Sequence, residues 1–355
     1  MKRRAFLLGP LALLARTAGA ATEYPMVRPG VALAFPRDHG SHPDYRNEWW
    51  YITGWLKSKA GNEFGMQITF FRNRPGIGED NPSRFAPRQL LFAHAAISDR
   101  SVSRLLHDQR AARAGFDLAA ASELDTDVHL GNWKLVREDD RFIARIEGRE
   151  ISYALDFRPT QPLLLQGEGG VSSKGPRPGQ ASYYYSVPHL AVSGSITVKN
   201  RTLEVVGSAW MDHEWSSEAL APEAEGWDWV GLNLADGAAL MAFRIRTREG
   251  GALWAGGTHR SANGRVHALQ PQDIAFEPIR RWRSPRTSAE YPVAMRLRAG
   301  ALDLTLEPGM DDQELDSRAS TGTIYWEGAV RAMSGGNPVG QGYLELTGYW
   351  KPLRL

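Results

Sequence analysis

The chain has 355 residues, 42% apolar and 23% charged, and its 42 basic and 40 acidic side chains leave a net charge of +2. That length suits about two domains, the composition excludes wholesale disorder, and the lack of a basic stripe excludes a nucleic-acid partner. With no cysteine, neither a disulfide nor a cysteine-linked lipid anchor is available, even in an oxidising compartment.

The first residues, MKRRAFLLGPLALLARTAGA (1–20), combine a basic start, an apolar core from Phe6 to Ala15 and the small residues Ala18-Gly19-Ala20. This is the pattern of a secretory signal peptide, too short for a lasting membrane span. Arg3-Arg4 fits a twin-arginine export signal as well as an ordinary one. Cleavage is expected after Ala20, with Ala21 the near alternative, and the mature protein is expected to be periplasmic or secreted.

Beyond the signal the chain reads as strands and turns. KSKAGNEF (57–64) and LADGAAL (234–240) are predicted hairpin turns. LLHDQRAARAGF (105–116) is the best helix candidate, though its apolar stripe is incomplete. QGEGGVSSKGPRPGQAS (166–182) is rich in Gly, Ser and Pro and is expected to be the seam, with domains over 22–190 and 191–355. LEVVGSAW, ALMAFRIR, ALDLTLE and YLELTGY alternate in the strand manner. FEPIRRWRSPRTSAEYP (276–292) reads as a polar connection. Short strands at regular spacing predict an all-β chain of barrels or sandwiches.

An internal repeat sharpens this. EWWYITGWLKSKAGNEFGMQITFFR begins at Glu48, and EGWDWVGLNLADGAALMAFRIR begins at Glu225. Aligned on Gly54 and Gly231, Glu48 meets Glu225, Trp50 meets Trp227, and the strands of Met66 and Met241 fall into step. The expectation is duplication: two related β-barrels in one chain.

The chemistry is expected around AWMDHEWSSE (209–218). On a strand, Asp212 and Glu214 point one way while Met211, His213 and Trp215 point the other. The aromatic side can then line a pocket while the carboxylates face a rim or the next barrel, and twist would bring Asp212 back beside His213. A wall of indoles suits a long hydrocarbon or a developing cation, and an acid inside it would have a raised pKa and could protonate an alkene. Catalytic candidates are Asp212, His213 and Glu48, although Glu48 and Glu225 could equally be paired acids at a barrel–barrel contact. Trp50, Trp215, Trp227, Trp229 and Tyr184 are the expected substrate-binding side chains. No HExxH occurs, and the nine histidines lack tight ligand spacing apart from Asp38-His39 and His42, so no metal and no cofactor is expected.

HPDYRNEWWYITGWL (42–56), GEGGVSSKG (167–175), GSAWMDHEWSS (207–217), GWDWVGLNLADGAALMAFRIR (226–246), YWEGAVRA (325–332) and VGQGYLELTGY (339–349) together carry a resemblance. The chain resembles the bacterial lipocalin-like family that includes carotenoid 1,2-hydratases and AttH-type secreted proteins. The resemblance implies two calycin-type antiparallel β-barrels packed side by side. In the hydratase branch an alkene of an acyclic carotenoid is protonated and water adds to the tertiary cation, without a cofactor. His213 and Trp215 match that branch's His-x-Trp element. Its acidic and phenolic partners have no match, because the following strand reads Leu240-Met241-Ala242-Phe243. The AttH-type branch implies a secreted protein linked to an ABC-type export system. Three readings follow: a hydratase acting on a lipid- or isoprenoid-like molecule, a carrier of such a molecule with contact to a membrane surface, and a scaffold whose barrels are filled by their own side chains.

Overall fold

The computed structural model describes residues 22–218 and 220–353, and its regular elements there are β-strands apart from two 3₁₀ turns, Arg37–His39 and Pro271–Asp273. The expected export signal lies outside the described residues.

The first sheet comprises β1 (Asn47–Ser58), β2 (Glu63–Asn73), β3 (Leu90–Asp99), β4 (Arg104–Arg113), β5 (Ala119–Ala121), β6 (Asp127–Leu130), β7 (Trp133–Glu138), β8 (Arg141–Glu147), β9 (Ile151–Pro159), β10 (Leu164–Leu165), β11 (Val171–Ser173), β12 (Ala181–Val198) and β13 (Arg201–Ser216). The second comprises β14 (Gly226–Leu234), β15 (Ala239–Arg246), β16 (Ala252–Arg260), β17 (Val266–Leu269), β18 (Ile274–Arg283), β19 (Glu290–Ala299), β20 (Leu302–Pro308), β21 (Glu314–Asp316), β22 (Ile324–Ser334) and β23 (Asn337–Leu346). Their orders are β4-β3-β2-β1-β13-β12-β9-β8-β7-β6-β5 and β17-β16-β15-β14-β23-β22-β20-β19-β18. In each, four strands meander outward and the last strand returns to pair with the first, β13 on β1 and β23 on β14. The chain is all-β, two lipocalin-like antiparallel barrels with one plan repeated.

The repeat read from the sequence holds at strand level but not at residue level. Gly54 does oppose Met66, and Gly231 does oppose Met241. Trp50, however, points into the first barrel while Trp227 packs between the barrels. An odd offset puts equivalent residues on opposite faces. Equivalence is better set by the acid–arginine pairs that oppose each other across the first two strands, Glu48 with Arg72 and Asp228 with Arg244. Glu48 therefore corresponds to Asp228, not Glu225, and Glu225 sits at the rim against Arg248.

Alternation sorts the side chains into three cores. Trp50, Ile52, Leu56 and Met66 fill the first barrel, and Val230, Leu232, Leu240 and Trp326 fill the second. Tyr51, Trp55, Trp210, Met241 and Tyr343 pack in the seam between them. Each such burial contributes roughly 1.5–3 kcal/mol, so the seam is as much a core as the barrels are. Gly65 permits the close approach: a Cβ there would lie 2.6 Å from the Tyr343 hydroxyl and 2.7 Å from the Ala329 Cβ.

Three expectations are corrected. The helix expected over 105–116 is β4, paired with β3 along its length, because only Leu105 and Leu106 are buried and no helical stripe is left to cover. The boundary expected near residue 190 falls inside β12, and the chain passes from one sheet to the other between Ser216 and Gly226. Residues 166–182 are polar because they form a flap of the first barrel, whose Gly167 N–H donates to Thr258 of the second at 3.0 Å. The connection expected over 276–292 holds most of β18, an edge strand with exposed Pro278, Ile279, Arg280 and Arg281, and the start of β19.

Candidate functional site

Apolar side chains crowd both barrel interiors. A cavity of about 330 Å³ opens beside the seam, lined from the first barrel by Tyr51, Lys174, Tyr184, Asp212 and Glu214 and from the second by Trp227, Trp229, Phe243, Tyr325, Glu327 and Glu345. This is the lower end of the size range for small-molecule pockets.

β13 divides the chemistry between its two faces, as its alternation predicts. On the cavity face, Asp212 Oδ2 accepts from the Tyr184 hydroxyl at 2.6 Å, and Oδ1 accepts from the Ser186 hydroxyl at 2.5 Å and the Trp210 indole N–H at 2.6 Å. Burial raises its pKa to about 7 against the opposing pull of these donors. The Trp229 indole donates to the Tyr184 oxygen at 3.0 Å, which turns the tyrosine proton toward Asp212. Glu214 is bonded by the Ser182 hydroxyl and sits 2.9 Å from the Lys174 ammonium, which lies 4.2 Å over Phe243 and 4.9 Å over Tyr184.

The second barrel adds two more acids. Glu327 and Glu345 oppose each other directly on β22 and β23. Burial and the Glu345 charge push the Glu327 pKa well up, and burial, with the charges of Asp212 and Glu214, raises Glu345 to about 7. Like charges so placed repel, and the pair holds a proton at neutral pH. The Tyr51 and Tyr325 hydroxyls face Glu327 and pull its pKa back down, although Glu327 Oε1 and the Tyr51 hydroxyl are buried without a hydrogen bond of full geometry.

The lumen face of β13 carries a separate, charge-balanced cluster. Glu48, fully buried, receives Arg72 Nε at 2.8 Å, His42 Nδ1 at 2.7 Å and His213 Nε2 at 3.0 Å. Burial works to raise the Glu48 pKa, but the Arg72 guanidinium and the imidazoles outweigh it and hold the carboxyl well below its ordinary value. Burial opposes charge on His42 as well, yet Asp38 and Glu48, one at each ring nitrogen, raise its pKa. His213 is pushed down by burial, and its Nδ1 meets the Tyr185 hydroxyl at 3.2 Å, which in turn meets His39 Nδ1 at 2.7 Å. Ligand atoms of His42, Glu48 and His213 lie within 4.8 Å of one another, a spacing a metal could use. The donor set argues otherwise: Arg72 occupies the second Glu48 oxygen, and His42 already has a carboxylate at each ring nitrogen.

The structure thus brings together Asp212, Tyr184, Trp227 and Trp229. Trp50, His213 and Trp215 lie in the first barrel, where Trp50 stacks on His213 at 4.7 Å and Trp215 on His42 at 3.7 Å. Twist does not return Asp212 to His213; the carboxylate beside that histidine is Glu48. Glu48 closes one end of the cavity from the lumen side rather than pairing with Glu225. Sequence reasoning missed Lys174, Glu327 and Glu345. The available signal was an acid set among apolar strand residues in Tyr325-Trp326-Glu327 and Leu344-Glu345-Leu346.

The sequence matches the AttH-like family over residues 26–349. Among solved structures, a Nitrosomonas europaea protein assigned as AttH superposes with a TM-score of 0.86 at 52% identity, covering 92% of this chain and 99% of that one. Kievitone hydratase from Nectria haematococca superposes with a TM-score of 0.70 at 16% identity, covering 93% and 97%, a likeness of fold. No curated relative matches in sequence. By the family match along nearly its whole length, the chain belongs to the AttH-like family.

Proposed function

We propose that the inter-barrel cavity binds an apolar, lipid- or isoprenoid-like molecule and adds water across one of its carbon–carbon double bonds. The observation that carries this is the Asp212 carboxyl, held near pKa 7 by burial inside aromatic walls and joined to the cavity through the Tyr184 hydroxyl. An acid poised near the working pH is suited to proton transfer. With Asp212 protonated, the Tyr184 hydroxyl turns from Asp212 to the substrate and gives its proton to one alkene carbon, whose π pair becomes the new C–H bond, while the Asp212 proton passes to the Tyr184 oxygen in exchange. The cation left on the other carbon faces indoles and the Glu214 carboxylate. Water adds its oxygen there, and the surplus proton returns to Asp212, so that alkene and water give an alcohol with no net proton change. Kievitone hydratase, which shares the fold, bears the name of such a reaction. A cavity of about 330 Å³ has room for the end of a long polyene such as a carotenoid, not for its length.

A carrier reading has its own support: all three donors to Asp212 come from the protein, and neither of its oxygens is left free toward the cavity. In that reading the protein is exported by its signal and delivers a ligand to, or takes one from, an ABC-type export system at a membrane surface. Incubation with a panel of polyenes and prenylated phenols in oxygen-18 water separates the two. Label in an alcohol product, lost in Asp212→Asn while tryptophan quenching by the ligand persists, supports hydration. Quenching without label in either protein supports the carrier.

A further inference from the structure

The first barrel shows how this cavity treats a positive charge. The Lys174 ammonium rests on two aromatic rings and pairs with Glu214 at 2.9 Å. That is the arrangement by which proteins hold an organic ammonium, an apolar face below and a carboxylate beside. Across the cavity the second barrel repeats the acid and the aromatics without the cation. Glu327 and Glu345 oppose each other there among Tyr51, Tyr325 and Trp227.

Two further observations point to a ligand at this end. Glu327 is 2% exposed, and its Oε1 has no hydrogen-bond partner. The Tyr51 hydroxyl, on a residue 6% exposed and from the other barrel, faces Glu327 but makes no hydrogen bond of full geometry either. Buried polar atoms in folded proteins nearly always find partners, and each exception calls for a cause. Here an acceptor and a phenol from two different barrels line one cavity, as a site for a hydrogen-bonding head group would require.

We infer that the cavity is shaped for an apolar molecule bearing one cationic nitrogen, whose ammonium group pairs with Glu327 and Glu345 while its hydrocarbon lies along Trp227 and Trp229. An alcohol could satisfy Glu327 Oε1 but would leave the charge of the acid pair unbalanced. A carboxylate ligand would meet four acids, Asp212, Glu214, Glu327 and Glu345, and among the described residues the two cations that line the cavity, Lys174 and Arg72, are already engaged by Glu214 and Glu48. This inference rests on the cavity being a ligand site, and it names the class of ligand irrespective of turnover.

The test uses three probes of one length, octylamine, octanol and octanoate, with the mature protein. Affinities are read from quenching of tryptophan fluorescence and from calorimetry. Octylamine is expected to bind about tenfold tighter than octanol, and octanoate weakest, consistent with one well-placed charge pair. In the doubly substituted Glu327→Gln, Glu345→Gln protein the amine preference is expected to fall to within about twofold. Octanol equal to or tighter than octylamine, no octylamine binding, or an amine preference that survives the double substitution would each overturn the inference. The comparison of probes on the unsubstituted protein decides even if the double variant fails to fold. Amine preference without oxygen-18 incorporation would sink hydration alone, whereas hydration of neutral alkenes without amine preference would sink this inference alone.

Discussion

Each barrel opposes an acid and an arginine across its first two strands, and the two pairs keep different company. Asp228 is clamped between Arg244 at 2.5 Å and Arg246 at 3.0 Å, with the Tyr349 hydroxyl donating at 2.9 Å. Glu48 has one guanidinium, Arg72, and two imidazoles, His42 and His213. The second barrel is plugged by an acid between two guanidiniums, the first by a cluster that includes two imidazoles, of which His42 has its pKa raised. Through the wall of β13, Asp212, Glu214, Glu327 and Glu345 have one ammonium, Lys174, among the described residues that line their cavity. The lesson is that balanced buried charge holds a barrel together, while unbalanced buried charge keeps a proton available.

The largest effect expected sits on the unbalanced side. Asp212→Asn should lower turnover about 100- to 10,000-fold, the range for losing a general acid, measured as oxygen-18 incorporation. The same substitution should flatten the pH dependence of stability. The folded pKa of about 7 lies above the ordinary value of 3.8, so native Asp212 keeps its proton where the unfolded chain has lost it. Its contribution is therefore present below about pH 4 and lost as pH rises toward 7, on the order of 4 kcal/mol. Urea melts across that window should show the loss in the unsubstituted protein and not in Asp212→Asn.

On the balanced side, Asp228→Asn leaves two guanidiniums without their anion and should cost about 3–5 kcal/mol. The cost should be the same at about pH 6 and about pH 9, since arginine stays charged throughout. Glu48→Gln should behave differently, and this contrast is the sharpest test of the two plugs. The folded pKa of His42 is raised, so its ion pair stabilises fully below the unfolded value of 6.5 and fades as pH rises through the folded one. Glu48→Gln should consequently cost less at about pH 9 than at about pH 6. Equal costs at both pH values would mean that His42 is not the proton-holding member. The smallest effect is Trp229→Phe, which keeps a ring in the wall but removes the N–H that orients Tyr184. It should reduce turnover about fivefold, the worth of one neutral hydrogen bond, with ligand affinity unchanged.

Much of this was legible in the chain. Alternation in β13 alone predicted that Asp212 and Glu214 would face away from His213 and Trp215, and the repeat predicted two barrels of one plan. The residue register of that repeat was not legible, because matching glycines and tryptophans says nothing about which face a side chain takes. Pairing across strands does, and Arg72 and Arg244 supply it. The place of His213 was misjudged for a related reason: the residue that reaches it, Glu48, lies 165 positions away along the chain. Glu327 and Glu345 join Asp212 and Glu214 only because two barrels pack face to face, and no local pattern in either half encodes that contact.

Carbon-13 carboxyl resonances followed through a pH titration compare the two faces of β13 in one experiment. Asp212 and Glu345 should titrate with midpoints near 7, while Glu48 stays ionised to below its ordinary carboxylate range. Midpoints near 4 for Asp212 and Glu345, as for carboxyls in water, would contradict the division of the acids into proton-holding and structural sets.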